Sequence, residues 1–185
     1  MASKILTIIL LRRLSATRET SCREEQAEFR SGRGCTDQIF VLRQILEIGH
    51  CYNRPLILVF LDIRAAFDTV HRESLWQCLK HNGIPERFLD LLRSLYEHTN
   101  GRVRVYNEYS ASFPITNGVR QGCPMSPFLF NFVVDDVLSR AFASGEAGID
   151  FLPGTRIRDL DYADDIVIFG DNPRILQTTL DKLTF

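Results

Sequence analysis

Two adjacent carboxylates, Asp164 and Asp165, stand in the stretch DLDYADDIVIFG, immediately before the apolar run Ile166, Val167, Ile168 and Phe169. Like charges at the mouth of a strand about to be buried repel one another, and one is driven to protonate unless a cation lies between them and further ligands. A divalent ion answers that need. Oxygen-only donors, with no histidine or cysteine close by in the chain, favour Mg²⁺, with Mn²⁺ as a substitute, over zinc. Taken alone, the dipeptide fits the solvated tip of a hairpin equally. A third acid, Asp62, ends the apolar stretch LILVFLD, and Asp68 follows it; Asp62 by itself also suits a helix cap. If the Asp164 hairpin pairs with the Asp62 strand, three carboxylates meet at one point. Two magnesium ions about 3.5–4 Å apart there would perform in-line phosphoryl or nucleotidyl transfer, one activating an attacking 3′-hydroxyl and the other holding a triphosphate.

A second group of residues suits a nucleotide. In TNGVRQGCPMSPFLFNF, Gly118 and Gly122 free the backbone for close approach, Gln121 offers an amide and Arg120 a charge, just ahead of a helix N-terminus. A plain loop-to-helix junction would read the same way. Arg102 and Arg104 alternate with valines, so they share one face of a strand where they could meet nucleic-acid phosphates; an ordinary charged edge strand has that pattern too.

The elements that position these residues follow from periodicity. MASKILTIILLRRLSA reads as a helix with one buried face. After the polar loop EFRSGRGCTDQ, Thr36 and Asp37 start a second helix with Ile39, Leu42, Ile45 and Leu46 as its buried stripe. The continuous apolar run between Pro55 and Asp62 predicts a central strand covered on both faces. Leu75, Cys78 and Leu79 mark a helix stopped by Asn82 and Gly83, and Pro85 opens another carrying Phe88, Leu91, Leu92, Leu95 and Tyr96. GRVRVYNEYSASFPI predicts an exposed strand pair, Ser126 and Pro127 cap a long helix, and TRIRDLDYADDIVIFGD gives two strands turning near Ala163 and Asp164. A last helix, from NPRILQ onward, is expected to run past the end of the chain. The fold class is α+β, with a small antiparallel sheet packed on helices.

Composition sets the remaining bounds. The chain has 185 residues, 45% of them hydrophobic, and a net charge of −1, enough for one core and against binding nucleic acid by phosphate neutralisation alone. Basic residues load the N-terminal part, while acids gather after Glu146. The five cysteines, Cys22, Cys35, Cys51, Cys78 and Cys123, are odd in number and form no CxxC pair, which points to a reducing, intracellular setting rather than a disulfide framework. The opening segment departs from a signal peptide in its short, interrupted apolar run, and no stretch approaches the about 20 apolar residues of a membrane span.

FLDIRAAFDTV, GVRQGCPMSPFLFNF and YADDIVIF, in this order and at these separations, resemble motifs A, B and C of a reverse transcriptase, in the variants of non-LTR (LINE-type) retrotransposons; EFRSGRGCTDQIFVLRQI is similar to the preceding fingers motif. The resemblance implies an RNA-directed DNA polymerase that adds dNTPs to a DNA primer on an RNA template, with 1–54 as partial fingers and 55–185 as palm bearing a helical insertion at about 72–100. It implies Asp62 and Asp164 as metal-bridging carboxylates and Asp165 as a third acid near the primer terminus. Ile63, Arg64, Ala65, Ala66 and Phe67 would cradle the dNTP, with Phe67 beneath the sugar rejecting a 2′-hydroxyl, although core packing suits Phe67 equally. Gln121 and Gly122 would line the same pocket, Tyr162 would support the hairpin near the primer, and Arg30 and Arg33 are candidates to reach template or triphosphate, although a solvated loop suits both arginines equally. Asp68 follows the family pattern as a structural residue. Motif D, primer grip, thumb, most of the first fingers motif and an endonuclease domain are not expected within the chain; they would belong to a parent protein acting in the nucleus. An inactive remnant or co-opted nucleic-acid-binding module is the alternative, and a palm-type nucleotide cyclase a further one.

Overall fold

The structure is a computed structural model that describes residues 2–21, 23–28, 32–152 and 154–183. In chain order it comprises α1 (Ala2–Ser21), α2 (Cys35–Cys51), β1 (Ile57–Asp62), the short α3 (Ala66–Thr69), α4 (Arg72–His81), α5 (Glu86–Tyr96), β2 (Asn100–Gly101), β3 (Arg104–Val105), β4 (Glu108–Tyr109), β5 (Phe113–Pro114), α6 (Ser126–Ala141), β6 (Ile149–Leu152), β7 (Thr155–Ile157), β8 (Asp159–Tyr162), β9 (Asp165–Gly170) and α7 (Pro173–Asp181). This is the α+β arrangement expected. A three-stranded antiparallel sheet of order β1-β9-β8 packs one face on the core of α4, α5 and α6. Strand alternation sorts the side chains. Ile57, Val59, Leu61, Ile166 and Ile168 join that large core, whereas Leu58, Leu160, Val167 and Phe169 face α2 around Ile45.

β9, not β1, is the central strand. A two-residue turn ties β8 to one side of β9 and leaves the other for β1, so β1 is an edge strand with Phe60 70% exposed. The apolar run that suggested coverage on both faces is explained instead by α2, which covers Leu58 but does not close over Phe60. For the same reason the expected α2 stripe is only partly buried: Ile45 is inside and Leu42 packs beside it, but Ile39 is 60% exposed and Leu46 is exposed.

α4 buries Leu75, Trp76, Cys78 and Leu79 and is capped by Asn82. α5 buries Leu89, Leu92 and Tyr96, with Leu91 left at the surface. β2 pairs with β5 and β3 with β4, giving over 100–114 the exposed strand pairing expected for 101–115. Ser126 does not cap α6. Met125 holds that position, and the buried Ser126 hydroxyl donates to the Arg120 carbonyl at 2.6 Å. α7 is capped by Asn172, whose side chain accepts from Arg174 and Ile175, and it ends at Asp181 with Lys182 as its C-cap rather than running on.

Candidate active site

The antiparallel register places Asp62, the last residue of β1, directly opposite Asp165, the first residue of β9. Facing residues of such a ladder have Cβ atoms about 4.5–5.5 Å apart, so two carboxylates share one end and one face of the sheet. Asp164 occupies the turn just before, after Ala163, whose φ of 58° is left-handed. All three acids are solvent-exposed, and among the described residues none of their side chains has a hydrogen bond or a basic partner. Burial therefore does not force a cation on them, contrary to the expectation from sequence. What disfavours the arrangement is two like charges in direct cross-strand register. Nor do the acids close a cage: among the described residues no group of three or more His, Cys, Asp or Glu is placed to hold a metal ion. An oxygen-only pair with open surroundings suits Mg²⁺, which keeps several waters and is held by one or two carboxylates together with substrate phosphates.

Two cavities meet at Asp62. One, of about 270 Å³, lies between α2 and the sheet and is lined by Ile39, Leu42, Phe60, Tyr162, Val167, Asp62 and Asp165 among others. The other, of about 500 Å³, is lined by Asp62, Ile63, Arg64, Thr69, Leu180 and Leu183. Tyr162 is half-buried and sits across the ladder from Asp165, on the same face as the acids.

The loop before α6 docks on the turn after β1. Gly118 N–H donates to the Val70 carbonyl and Val119 N–H to the Phe67 carbonyl, each at 2.8 Å. Gly118 has a φ of 79°, and a Cβ there would stand 2.9 Å from the Phe67 oxygen and from the Asp68 Cα. This is the close approach that requires glycine; at Gly122, with a φ of 73°, a Cβ would meet nothing. The exposed Gln121 amide donates to both Asp68 carboxylate oxygens, at 3.1 and 3.3 Å. Asp68 thereby orients the Gln121 amide, a contact that its sequence position alone does not reveal. Ala65, with a φ of 52°, starts α3, and Ala66 is buried. Phe67 is half-buried with its ring edge-on to Phe130 at 5.3 Å, so it packs against the large core.

Arg120 is turned onto α5. Its guanidinium donates to the Leu95 carbonyl and to Thr99, and stacks over Tyr96 at 5.4 Å. Arg72 lies over the same ring at 5.1 Å and donates to the carbonyls of Gly118, Tyr96, Ile115 and Asn117. Together these two cations fasten the glycine loop to α5. Arg33 is engaged with Glu24, Arg104 stacks on Tyr109 at 5.6 Å, and Arg102 is exposed beside it; none of the three contacts the acids. Arg30 lies outside the described residues.

Beneath the site, Asp159 and Asp161 of β8 are both fully buried. Arg23 bonds to Asp159, and its guanidinium is 3.7 Å from Asp161. Burial raises the pKa of Asp161 well above the usual carboxylate range, and the neighbouring Asp159 raises it further; Arg23 opposes both effects. Asp159 is also raised by burial, against the pull of Arg23. Sequence reasoning passed over this cluster, although an acid at alternate positions of a strand leading into a buried sheet was a readable signal.

Residues 1–184 match the family described as reverse transcriptase (RNA-dependent DNA polymerase). The chain is 33% identical over 178 residues, 96% of its length, to the Pol polyprotein of the type-2 retrotransposable element R2DM of Drosophila melanogaster, and 30% identical over 79% of its length to that of a type-1 element R2 of Popillia japonica. It spans 16% and 25% of those two proteins. Among solved structures it superposes on telomerase of Candida tropicalis with a TM-score of 0.66 at 13% identity, covering 100% of this chain and 30% of that one; a likeness at this identity speaks for the fold. The chain is a member of the reverse transcriptase family.

Proposed function

We propose that this chain is the fingers-palm part of a retroelement RNA-directed DNA polymerase, with residues 1–54 as fingers and 55–185 as palm, adding dNTPs to a DNA primer on an RNA template in the nucleus, alongside further regions of a parent protein. The register that sets Asp62 against Asp165, with Asp164 on the adjoining turn, carries this reading. Asp62, Asp164 and Asp165 would hold two Mg²⁺ ions, for which Mn²⁺ could substitute. Bound there, divalent ions compensate the phosphate charge and ease deprotonation of the 3′-hydroxyl. The chain's own residues do the rest. Backbone N–H groups of the turn from Ile63 to Phe67 bind the triphosphate. Gln121, held by Asp68, fixes the nucleotide beside Gly122. The Phe67 ring, braced by Phe130, excludes a ribose 2′-hydroxyl. Arg33, Arg102, Arg104 and Tyr162 are the side chains offered to nucleic acid.

Primer extension on an RNA template with Mg²⁺ tests the reading. Asp164→Asn abolishes incorporation while the circular dichroism spectrum stays that of the parent; undiminished synthesis by that variant refutes the assignment.

A further inference from the structure

The segment 23–28 has little regular structure, yet it is fastened along the outer edge of β8. Ala27 N–H donates to the Asp161 carbonyl at 3.1 Å, and Asp161 N–H to the Glu25 carbonyl at 3.3 Å, making a parallel bridge between Gln26 and Asp161. Gln38, on α2, donates to the carbonyls of Glu25 and Asp161 at 2.8 and 3.2 Å. Gln26 itself is fully buried. Its side-chain oxygen accepts from two backbone donors, Glu28 N–H at 3.0 Å and Ala163 N–H at 3.4 Å. Because both neighbours are donors, the oxygen end of the amide must face them. Ala163 is the left-handed residue of the turn that carries Asp164. A non-glycine residue holds that conformation only where its surroundings fix it, and Gln26 supplies a fixed point.

We propose that Gln26 is a positioning residue for nucleotide transfer: its side-chain oxygen secures the Ala163 N–H and with it the turn bearing Asp164, while Arg23, Asp159 and Asp161 anchor the segment that carries Gln26. This rests on the polymerase reading of the site. Gln26 touches neither the nucleotide cradle at 63–67 nor Gln121, so its effect falls on the metal-bearing turn and not on dNTP capture.

Gln26→Met keeps the length of the side chain and removes the acceptor. Loss of one net hydrogen bond corresponds to about a fivefold change. Amide exchange at Ala163 therefore accelerates about fivefold in Gln26→Met, while Ile168, in the middle of β9, stays within about twofold of the parent. In primer extension kcat falls by about the same fivefold factor, and KM for dNTP moves less than about twofold. Unchanged exchange at Ala163, or a rise in KM at constant kcat, overturns the proposal. If the parent chain extends no primer, the polymerase reading fails on its own, and the positioning role is decided by Ala163 exchange together with Mn²⁺-induced broadening of the Asp164 amide resonance. A half-saturating Mn²⁺ concentration raised about fivefold in Gln26→Met supports the role, and an unaltered one overturns it. Should Gln26→Met not fold, Gln26→Asn, one methylene too short to reach Ala163, gives the same readings.

Discussion

Gly118→Ala separates two costs that Gly122→Ala does not combine. Both glycines have positive φ, 79° and 73°, so alanine at either position costs about 1–2 kcal/mol of left-handed strain. At Gly122 nothing further is met. At Gly118 the new methyl would stand 2.9 Å from the Phe67 oxygen, 2.9 Å from the Asp68 Cα and 3.0 Å from the Asp68 oxygen, where about 3.5–4.0 Å is the comfortable separation. Every atom it strikes is backbone, so the loop and the turn after β1 must part, breaking the hydrogen bonds from Gly118 and Val119 to Val70 and Phe67. Overpacking of this kind adds about 1–3 kcal/mol. The total for Gly118→Ala is then about 2–5 kcal/mol, against about 1–2 for Gly122→Ala. Urea unfolding followed by tryptophan fluorescence measures the difference. With a slope of about 1–3 kcal/mol per molar, the Gly118→Ala midpoint falls about 1 M below that of Gly122→Ala. Coincident midpoints would refute the close approach between the glycine loop and the turn.

Other consequences follow from the same contacts. Asp161 holds its proton in the folded state at pH values where the unfolded chain has released it, so its contribution to stability is full at the acid end and is lost as pH rises through the folded pKa; Asp161→Asn should flatten that decline in thermal melts, and an unchanged slope would discount the buried proton. Phe67→Ala removes the ring braced on Phe130 and should raise ribonucleotide incorporation relative to dNTP, read from competing single-nucleotide extensions; unaltered preference would remove Phe67 from the site. The Cys78 thiol, pushed up to about 12 by burial first and by Asp136 and Asp135 next, donates to the Phe132 carbonyl, so iodoacetamide should label the exposed Cys35 and Cys51 while sparing Cys78 in the folded protein.

Much of this architecture is legible in the residues, and what escapes has a physical cause. Helices with a stop signal or a strong apolar period, such as α4 and α5, fall where periodicity places them. The Asp164 hairpin does too, because its charged break falls between two stretches of strand length. β1 misleads: a continuous apolar run looks the same whether both faces are covered along its whole length or only as far as α2 extends. The motifs lead one to expect Asp62 near Asp165, but not that the two face each other across a ladder in open solvent. Arg120 reads as a ligand-facing charge because its identity is visible and its direction is not; only the position of Tyr96 and the carbonyl of Leu95 turn it inward. Asp159 and Asp161 alternate along one strand and could be read as a pair, but Gln26 and Arg23 lie more than a hundred residues away along the chain, so their union with that pair exists only in the fold.

The claim on which this account depends is that the Asp62–Asp165 ladder end, with Asp164, takes divalent cations. Mn²⁺ titration in the presence of a dNTP, followed by electron paramagnetic resonance, measures it directly. The parent chain should bind two Mn²⁺ ions, and Asp62→Asn or Asp165→Asn should weaken at least one of them tenfold or more, since outer-sphere partners alone are worth about 10–100-fold in metal affinity. Equal stoichiometry and affinity in the parent and both variants would contradict the account.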